Sequence, residues 1–421
     1  MSLCLIEKQR ILSAAQQFGT PFYGYHKSEL QATAQRLKIH LPSQIEVFYS
    51  LKANPNIAIC SILRSAGIHA EVCSFYEIEA ALKSGFDPKN IIFLGPAKSD
   101  IELITCLQIG IYAIICESLH ELKRISQHAK TLNKIARIAL RINPSHISMS
   151  ALLKMGGKPS QFGIDEEIIF ENKEYILHMP NIQLVGIHVY HGTRILNAST
   201  ISENTEYILS LADRIQEEWG LIFEMIDIGG GFGVPYFENE ESLDLPILKS
   251  SFFIMIEKYL KKYLNARIIL ESGRYLVAES GFLISKIIDI KKSKGELFVI
   301  TDGGTHCHMP AVGIGGIVRK NFPIEIISNS TKLNNTHEIY NITGPLCTPG
   351  DLLAKQICLP KLEINDLIVV KNSGAYGPTA SPVMFLSHGF PAEVLFSSDH
   401  IYCIRDRFGY EEFFNKQSII Y

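Results

Sequence analysis

The residue best suited to covalent chemistry is Lys52, which directly follows the apolar run Phe48–Leu51. An amine at the end of a buried strand is partly desolvated, and desolvation lowers the pKa of a lysine and makes it nucleophilic. The position therefore predicts a nucleophilic amine. A surface lysine at a strand end is the alternative that this position alone leaves open.

Two further motifs could hold a phosphorylated ring. Gly230 and Gly231 follow the apolar run Met225–Ile228, and glycines let a backbone approach a phosphate and point N–H groups at it. Their spacing differs from the dinucleotide pattern GxGxxG, and a tight strand-to-helix turn is the alternative. Glu271 can keep a pyridine nitrogen protonated and Arg274 can bind an anion, although a structural Glu–Arg ion pair is equally compatible.

Two loops near the C-terminus offer a proton donor and an anion ligand. Cys347 lies among the turn-forming residues Gly344–Asp351, where a thiol can deliver a proton, and Tyr376 lies in the turn Gly374–Gly377. An inert cysteine and a core tyrosine are the alternatives. The tripeptide His306–His308 has no second ligand cluster at suitable spacing, so we predict no metal site.

The elements that must position these residues alternate short apolar runs with helical patterns. Eight such runs over about 250 residues match a (β/α)8 barrel, and a doubly wound open sheet is the competing architecture. The predicted strands are Val47–Leu51, Ile68–Cys73, Ile91–Leu94, Tyr112–Cys116, Ile135–Ile142, Leu184–Tyr190, Met225–Ile228 and Ile268–Leu270. Polar residues follow most of these runs, and a barrel brings all strand ends to one face. The barrel is therefore favoured.

The pattern changes after Leu276, where strands alternate with turns and helical patterns are scarce. We predict a mostly antiparallel, Greek-key-like β domain formed by residues 277–421 and 1–25, and a barrel domain formed by residues 26–276. The strands predicted there are Phe282–Ile290, Leu297–Thr301, Ile324–Ile327, Ile339–Thr343, Leu367–Val370 and Glu393–Phe396, with one added from Pro21–Tyr25.

Composition excludes several classes of function. The chain has 421 residues, 47% hydrophobic and 20% charged, with a formal net charge of −3 and no basic block, which argues against nucleic-acid binding. It has no apolar run long enough to span a bilayer and no signal-peptide pattern at its start. Its nine cysteines have no repeating spacing, so we predict reduced thiols in a cytoplasmic protein.

The order of these motifs resembles the fold-type III decarboxylases that depend on pyridoxal 5'-phosphate (PLP), the family of diaminopimelate and ornithine decarboxylases. The resemblance implies an alanine-racemase-like barrel with a β domain, in a homodimer with active sites at the subunit interface. It also implies Lys52 as the Schiff-base lysine and Cys347, from the opposite subunit, as the proton donor. The cofactor-binding residues it implies are Arg141, Tyr190, Thr193, Gly230, Gly231, Glu271, Ser272, Gly273, Arg274 and Tyr376.

Departures from the family pattern concern the cofactor face and the distal end of the substrate. Tyr190 replaces the histidine that usually stacks on the cofactor, and the motif ESGR at Glu271 replaces EPGR. Thr348 follows the catalytic cysteine, where diaminopimelate and ornithine decarboxylases have Glu or Asp. The Arg and Tyr that diaminopimelate enzymes carry after the DGG motif are missing from Met309–Gly313. A site without these partners leaves a charged distal group unpaired.

We therefore expect a substrate with a neutral distal end, bound by Arg274, Thr348 and Tyr376. One branch of the family decarboxylates an L-glutamyl thioester on an acyl carrier protein. It shares the cysteine loop Gly344–Pro349 and the segment Lys154–Gly163. Diaminopimelate, ornithine or lysine as substrate, a racemase on the same fold, and a non-catalytic PLP-binding regulator remain alternatives. A regulator typically loses the lysine or the cysteine, and both are present here.

Overall fold

The computed structural model describes residues 3–145, 153–154, 159–237, 239–262, 266–312, 320–328 and 336–420. Residues 155–158 of the segment Lys154–Gly163, and Gly313 after the DGG motif, lie outside the described residues. The chain divides into two compact units, of which the first comprises Met1–Leu30, Tyr236–Glu240 and Val277–Tyr421. The second comprises Gln31–Pro235 and Glu241–Leu276.

The described residues form strands and helices in both units. The strands are β1 Phe22–His26, β2 Ile45–Ser50, β3 His69–Val72, β4 Ile91–Phe93, β5 Ala113–Cys116, β6 Ala136–Asn143, β7 Leu153–Lys154, β8 Ile164–Asp165, β9 Ile182–Val189, β10 Gly192–Thr193, β11 Met225–Asp227, β12 Arg267–Ser272, β13 Gly281–Ser293, β14 Glu296–Thr301, β15 Ile324–Ile327, β16 His337–Thr343, β17 Leu352–Pro360, β18 Leu367–Val370, β19 Ala392–Phe396 and β20 Ile401–Arg405. The α-helices are α1 Leu5–Phe18, α2 Lys27–Ile39, α3 Ile57–Ser65, α4 Phe75–Lys83, α5 Asp100–Ile109, α6 Leu119–Thr131, α7 Glu166–Glu171, α8 Lys173–Leu177, α9 Ala198–Trp219, α10 Leu245–Lys262, α11 Arg274–Val277 and α12 Tyr410–Phe414. Short 3-10 helices span Leu51–Ala53, Pro88–Asn90, Met309–Val312, Pro378–Ala380 and Phe385–Ser387.

The second unit contains the predicted barrel. Its parallel strands pair in the order β2, β3, β4, β5, β6, β9, β11 and β12, and β12 pairs with β2 to close the ring. All eight predicted barrel strands are therefore confirmed, and the open sheet is excluded. The interior is filled by apolar side chains from alternating positions, including Phe48, Ile115 and Ile269.

Helices on the outside of the barrel are positioned by caps and apolar stripes. Ser74 caps α4, with its hydroxyl accepting from the N–H of Glu77. The side chain of Asn54 accepts from the N–H of Asn56, and Asn56 then caps α3. The apolar stripe of α9 is buried and includes Ile201, Ile208, Leu211 and Ile215.

The first unit is built on one nine-stranded sheet with the path β17-β16-β14-β13-β1-β19-β20 and β18 and β15 joined at β13. The sheet is mostly antiparallel, as predicted, with parallel pairs between β1 and β19 and between β14 and β16. Its apolar core includes Phe22, Ile284, Val369 and Val394. No helix in the described part of the chain is both long and apolar enough to cross a membrane.

Candidate active site

The predicted nucleophile lies at the mouth of the barrel, where the C-terminal ends of the strands converge. Lys52 belongs to the 3-10 helix that directly follows β2. Its Nζ is 3.7 Å from Oε1 of Glu71 in β3, and the Lys52 side chain is 42% exposed whereas that of Glu71 is fully buried. The strand end thus presents an accessible amine against a buried carboxylate.

The pKa of Lys52 differs from the sequence-based expectation. Desolvation by itself lowers it, but the negative charge of Glu71, assisted by Cys73 and Glu271, outweighs desolvation and raises the pKa well above its usual value. The expectation of a lowered pKa was wrong because it counted burial and not the carboxylate on the next strand. Lys52 is therefore an ammonium that pairs with Glu71.

Three buried ionisable side chains meet at the inner wall of the barrel. His188 of β9 and Asp227 of β11 are direct register partners, and Glu271 lies near the end of β12. The closest ligand atoms of the three side chains all lie within 4.8 Å of one another, and His188 Nε2 is 3.3 Å from Glu271 Oε1. Such a group can fix the position and the charge of Glu271.

The two carboxyl groups of this cluster differ in charge. Burial raises the pKa of Asp227 well above its usual value, and the neighbouring negative charge of Glu271 raises it further. Burial also acts to raise the pKa of Glu271, but His188, Lys52 and Arg141 together lower it below its usual value. Glu271 is therefore the ionised carboxyl group of the pair, and Asp227 is the one that binds a proton more readily.

The histidine tripeptide that suggested a metal site is divided between different contacts. His306 stacks on His388 at a ring-centroid distance of 4.3 Å. His308 Nδ1 lies 2.8 Å from the hydroxyl of Tyr23. Among the described residues, only His188, Asp227 and Glu271 form a trio of metal-binding side chain types at ligand distances.

Arg141 is held rigidly near the end of β6. Its Nη1 donates to Oε1 of Glu117 at 2.9 Å, and its guanidinium lies 4.7 Å from the ring centroid of Phe162. Glu117 also accepts from the N–H groups of Gly95 and Gly163, so both of its oxygens are used. Arg141 pairs in register with His188, which places it in the same row of the barrel as the carboxyl cluster.

The predicted phosphate-binding segments lie side by side. A Cβ on Gly230 would lie 1.9 Å from the carbonyl oxygen of Glu271, and a Cβ on Gly231 would lie 2.0 Å from that of Gly192. Gly231 also has a φ of 89°, which favours glycine. Its carbonyl accepts from the N–H of Ile195 at 2.9 Å. The glycine loop therefore lies against the Gly192–Thr193 segment.

The residues at the end of β12 also lie at the mouth of the barrel. Gly273 packs against the first barrel strand, since a Cβ there would lie 3.1 Å from Cβ of both Ser50 and Ala53. The hydroxyl of Ser272 and Oε2 of Glu71 are buried and have no hydrogen-bond partner among the described residues. A buried polar atom without a partner is costly, so such atoms indicate a polar ligand. A reactive amine, an ionised carboxylate and a glycine loop fit the aldehyde, ring nitrogen and phosphate of PLP.

The cysteine loop in the other unit is fixed by a buried aspartate. Cys347 is exposed and Thr348 is half-buried. Asp351 accepts from the N–H of Leu346 at 2.7 Å through one oxygen, and from the N–H and hydroxyl of Thr305 through the other. Asp351 thus holds the residue before Cys347 in place.

Tyr376 adopts an uncommon backbone conformation, with a φ of 55°. Gly374 in the same turn approaches the chain so closely that a Cβ would lie 1.8 Å from the carbonyl oxygen of Val277. The N–H groups of Ser373 and Gly374 donate to the carbonyls of Gly281 and Ala278. A large residue with positive φ in an anchored turn indicates a functional position.

Sequence reasoning did not single out Glu71, His188 or Asp227 as site residues. The signal was present, because each is an ionisable residue inside an otherwise apolar strand of the barrel. Such a residue faces the barrel interior or its mouth and needs a partner there. Ionisable residues inside the barrel strands, and not only those that follow the strands, therefore indicate where the site lies.

Comparisons with known proteins indicate the family of this chain. The model of the pyridoxal-binding domain of pyridoxal-dependent decarboxylases matches residues 27–278. The L-glutamyl-[BtrI acyl-carrier protein] decarboxylase of Niallia circulans is 40% identical over 392 residues, which are 93% of this chain and 92% of that protein. The diaminopimelate decarboxylase of Haemophilus influenzae is 30% identical over 98% of this chain and 97% of its own length.

A solved structure shares the fold across both units. The crystal structure of diaminopimelate decarboxylase from M. jannaschii with L-lysine matches with a TM-score of 0.89 and 28% identity, covering 97% of this chain and 94% of that one. The fold is therefore alanine-racemase-like and the cofactor is PLP. The family match spans more than half of the chain, and the chain belongs to the pyridoxal-dependent decarboxylases, a family of lyases.

Proposed function

We propose that this enzyme removes the α-carboxylate of an L-glutamyl group carried as a thioester on an acyl carrier protein. The observation that carries the proposal is Thr348, the neutral residue that follows Cys347 in the anchored loop. A thioester has no charge and needs no counter-charge, whereas the distal ammonium of ornithine or diaminopimelate does. The 40% identity to a glutamyl-carrier decarboxylase over 93% of the chain supports the same substrate.

The barrel residues would hold and tune the cofactor. Lys52 would bind its aldehyde carbon, and Gly230, Gly231 and Thr193 would surround its phosphate. We also assign Tyr376, which lies outside the barrel, to the phosphate. Ionised Glu271 would hold a proton at the ring nitrogen, since its pKa is lowered by His188 and by nearby cations. When bound, PLP supplies an electron-accepting ring that takes up the electron pair of the breaking bond between Cα and the carboxylate.

The remaining residues would contact the cofactor or act on the substrate. Ser272, Gly273 and Arg274 line the end of β12, where Arg274 would bind an anionic group of substrate or cofactor. Tyr190 would lie against the face of the cofactor ring. After CO2 departs, the Cys347 thiol would donate a proton to Cα, so that a C–H bond replaces the C–C bond. Thr348 and Tyr376 would contact the neutral distal part of the substrate.

We further propose a homodimer in which Cys347 of the partner subunit completes the site around Lys52. The exposure of Cys347 and the fixed loop that carries it support this arrangement. Because the buried Asp351 fixes this loop, the exposed Cys347 thiol is positioned to reach the active-site cleft of a second subunit.

The test offers four substrates to the purified enzyme with PLP and measures CO2 release. The substrates are the glutamyl-carrier thioester, free glutamate, diaminopimelate and ornithine. We expect turnover of the thioester at least tenfold above the others, because an unpaired charged group in a desolvated site costs at least about 1.4 kcal/mol. Efficient turnover of diaminopimelate would overturn the substrate proposal. Loss of optical activity without CO2 release would instead identify a racemase.

A further inference from the structure

The histidine tripeptide His306–His308 contains a buried ring to which the proposed mechanism gives no role. His308 is fully buried in the first unit. Its Nδ1 lies 2.8 Å from the hydroxyl of Tyr23 in β1, and its Nε2 lies 3.3 Å from Oγ of Ser373. Ser373 directly precedes the turn Gly374–Gly377. The ring of His308 therefore joins β1 to the start of this turn.

His308 makes these contacts as a neutral ring. Burial lowers the pKa of His308 to about 3, and burial also raises the pKa of Tyr23 well above its usual value, so the phenol keeps its proton. A neutral imidazole has one N–H donor and one acceptor nitrogen, and each nitrogen here faces a hydroxyl that can either donate or accept. The links on both sides of the ring therefore persist throughout the neutral pH range.

The next residue along the chain is linked to the other end of the turn. The N–H of Met309 donates to Oγ of Ser381 at 2.9 Å, and the Ser381 hydroxyl donates to the carbonyl of Gly377 at 2.7 Å. Gly377 also lies against the ring of Tyr23, since a Cβ on Gly377 would lie 2.7 Å from Cε1 of that ring. Two consecutive residues, His308 and Met309, thus hold the two ends of one turn.

The conformation of the turn requires this support. Tyr376 has a φ of 55°, which is unfavourable for a bulky residue and persists only where the surrounding structure fixes it. A side chain that binds an anion also binds it more tightly when it is held in place beforehand, because less freedom is lost on binding. Contacts at both ends of the turn meet both requirements for Tyr376.

We propose that His308 is a positioning residue, which together with Tyr23 and Ser381 holds the turn so that the Tyr376 hydroxyl is placed to bind the cofactor phosphate. This inference rests on the proposed function, which assigns Tyr376 to the phosphate. His308 acts through the turn and has no contact of its own with the cofactor.

The test compares the binding of PLP with that of pyridoxal, which lacks the phosphate, to the cofactor-free enzyme. Absorbance titration gives a dissociation constant for each compound, and the bond to Lys52 contributes to both. The ratio of the two constants therefore reports the phosphate contacts. Tyr376→Phe should weaken PLP binding about tenfold or more, the size expected for losing a hydrogen bond to a charged group, and leave pyridoxal binding unchanged.

Loss of either support should change the same ratio by a smaller factor. His308→Leu and Ser381→Ala should each weaken PLP binding about 3- to 10-fold and leave pyridoxal binding unchanged. Ser381→Thr keeps a hydroxyl and should restore the wild-type ratio. In the Tyr376→Phe background neither His308→Leu nor Ser381→Ala should change the ratio further, because both act through the lost hydroxyl.

The matched control is His306→Leu, which removes the other histidine ring of the tripeptide. His306 stacks on His388, so this variant should leave the ratio unchanged. Ser381 is half-buried, and Ser381→Ala decides the test if His308→Leu does not fold.

Equal weakening of PLP and pyridoxal binding in His308→Leu and Ser381→Ala, or no weakening of either, would overturn the inference while a changed ratio in Tyr376→Phe upholds the phosphate assignment. An unchanged ratio in Tyr376→Phe would overturn that assignment and the inference with it. Because cofactor binding requires no substrate, these results are separable from a failure of CO2 release.

Discussion

Glu271 and Asp227 are neighbouring buried carboxyl groups with opposite pKa shifts. The pKa of Glu271 is lowered by its interactions with His188, Lys52 and Arg141, which outweigh burial, whereas burial and the neighbouring charge of Glu271 raise the pKa of Asp227. The result is one anion beside a carboxyl group that binds a proton more readily, and the anion is the group near the end of its strand. The charges around Glu271 therefore come from residues on different strands, and no single sequence motif contains them.

Replacing Glu271 with Gln tests this arrangement. A neutral amide cannot hold a proton at a ring nitrogen, so kcat should fall about 10- to 100-fold, as expected for loss of a hydrogen bond to a charged group. Steady-state kinetics with saturating PLP measure the change. Glu46→Gln is the matched control because Glu46 lies near the start of β2, at the other end of the barrel strands. An equal loss of kcat in both variants would contradict a specific role for Glu271.

The barrel elements also carry an ion pair that has a structural role. Glu46 of β2 accepts from Nε of Arg267 in β12 at 2.8 Å, and His69 Nε2 of β3 lies 3.1 Å from its other oxygen. Burial acts to raise the pKa of Glu46, but the hydrogen bonds from Arg267 and His69 lower it to about 2. Three neighbouring strands are thereby linked near their starts.

Stability should depend on pH through this contact. A carboxylate with a lowered folded-state pKa stabilises the fold above its unfolded-state pKa, and that contribution is lost as pH falls through the folded-state pKa. Glu46→Gln should therefore lower stability by about 1–2 kcal/mol at pH 7, and its difference from wild type should shrink below about pH 4.5. Urea unfolding at a series of pH values measures this. Glu224→Gln, which removes a more exposed pair with Arg137, is the control and should have a smaller effect. A difference that is constant down to pH 3 would contradict the account.

At the scale of the whole molecule, the sequence predicted the barrel strands well because each is a short β-branched run bounded by turn residues. The edge strands β17 and β20 were missed. β17 is half exposed and contains Gln356 at a φ of 48°, which breaks its alternation, and β20 has exposed Tyr402 and Cys403. The polar residues that follow the strands were visible in the sequence, but the pairing of Lys52 with Glu71 was not, because register across strands decides it.

A dimer with shared sites makes a prediction for mixed subunits. Lys52→Ala and Cys347→Ala should each be nearly inactive, and an equal mixture after dissociation should recover about a quarter of wild-type activity, since half of the dimers carry one intact site. CO2 release from the mixture measures this recovery. The control is Cys358→Ala, which removes another exposed thiol. This variant should retain activity without being mixed with another. A mixture no more active than its parts would contradict the shared site.

The claim on which the other proposals depend is that Lys52 binds the cofactor covalently. Reduction of the PLP-loaded enzyme with borohydride, followed by peptide mapping, tests it directly. We expect one pyridoxyl group per chain, on Lys52, and none in Lys52→Ala. A modification on a different lysine, or an equal yield in the Lys52→Ala variant, would contradict it.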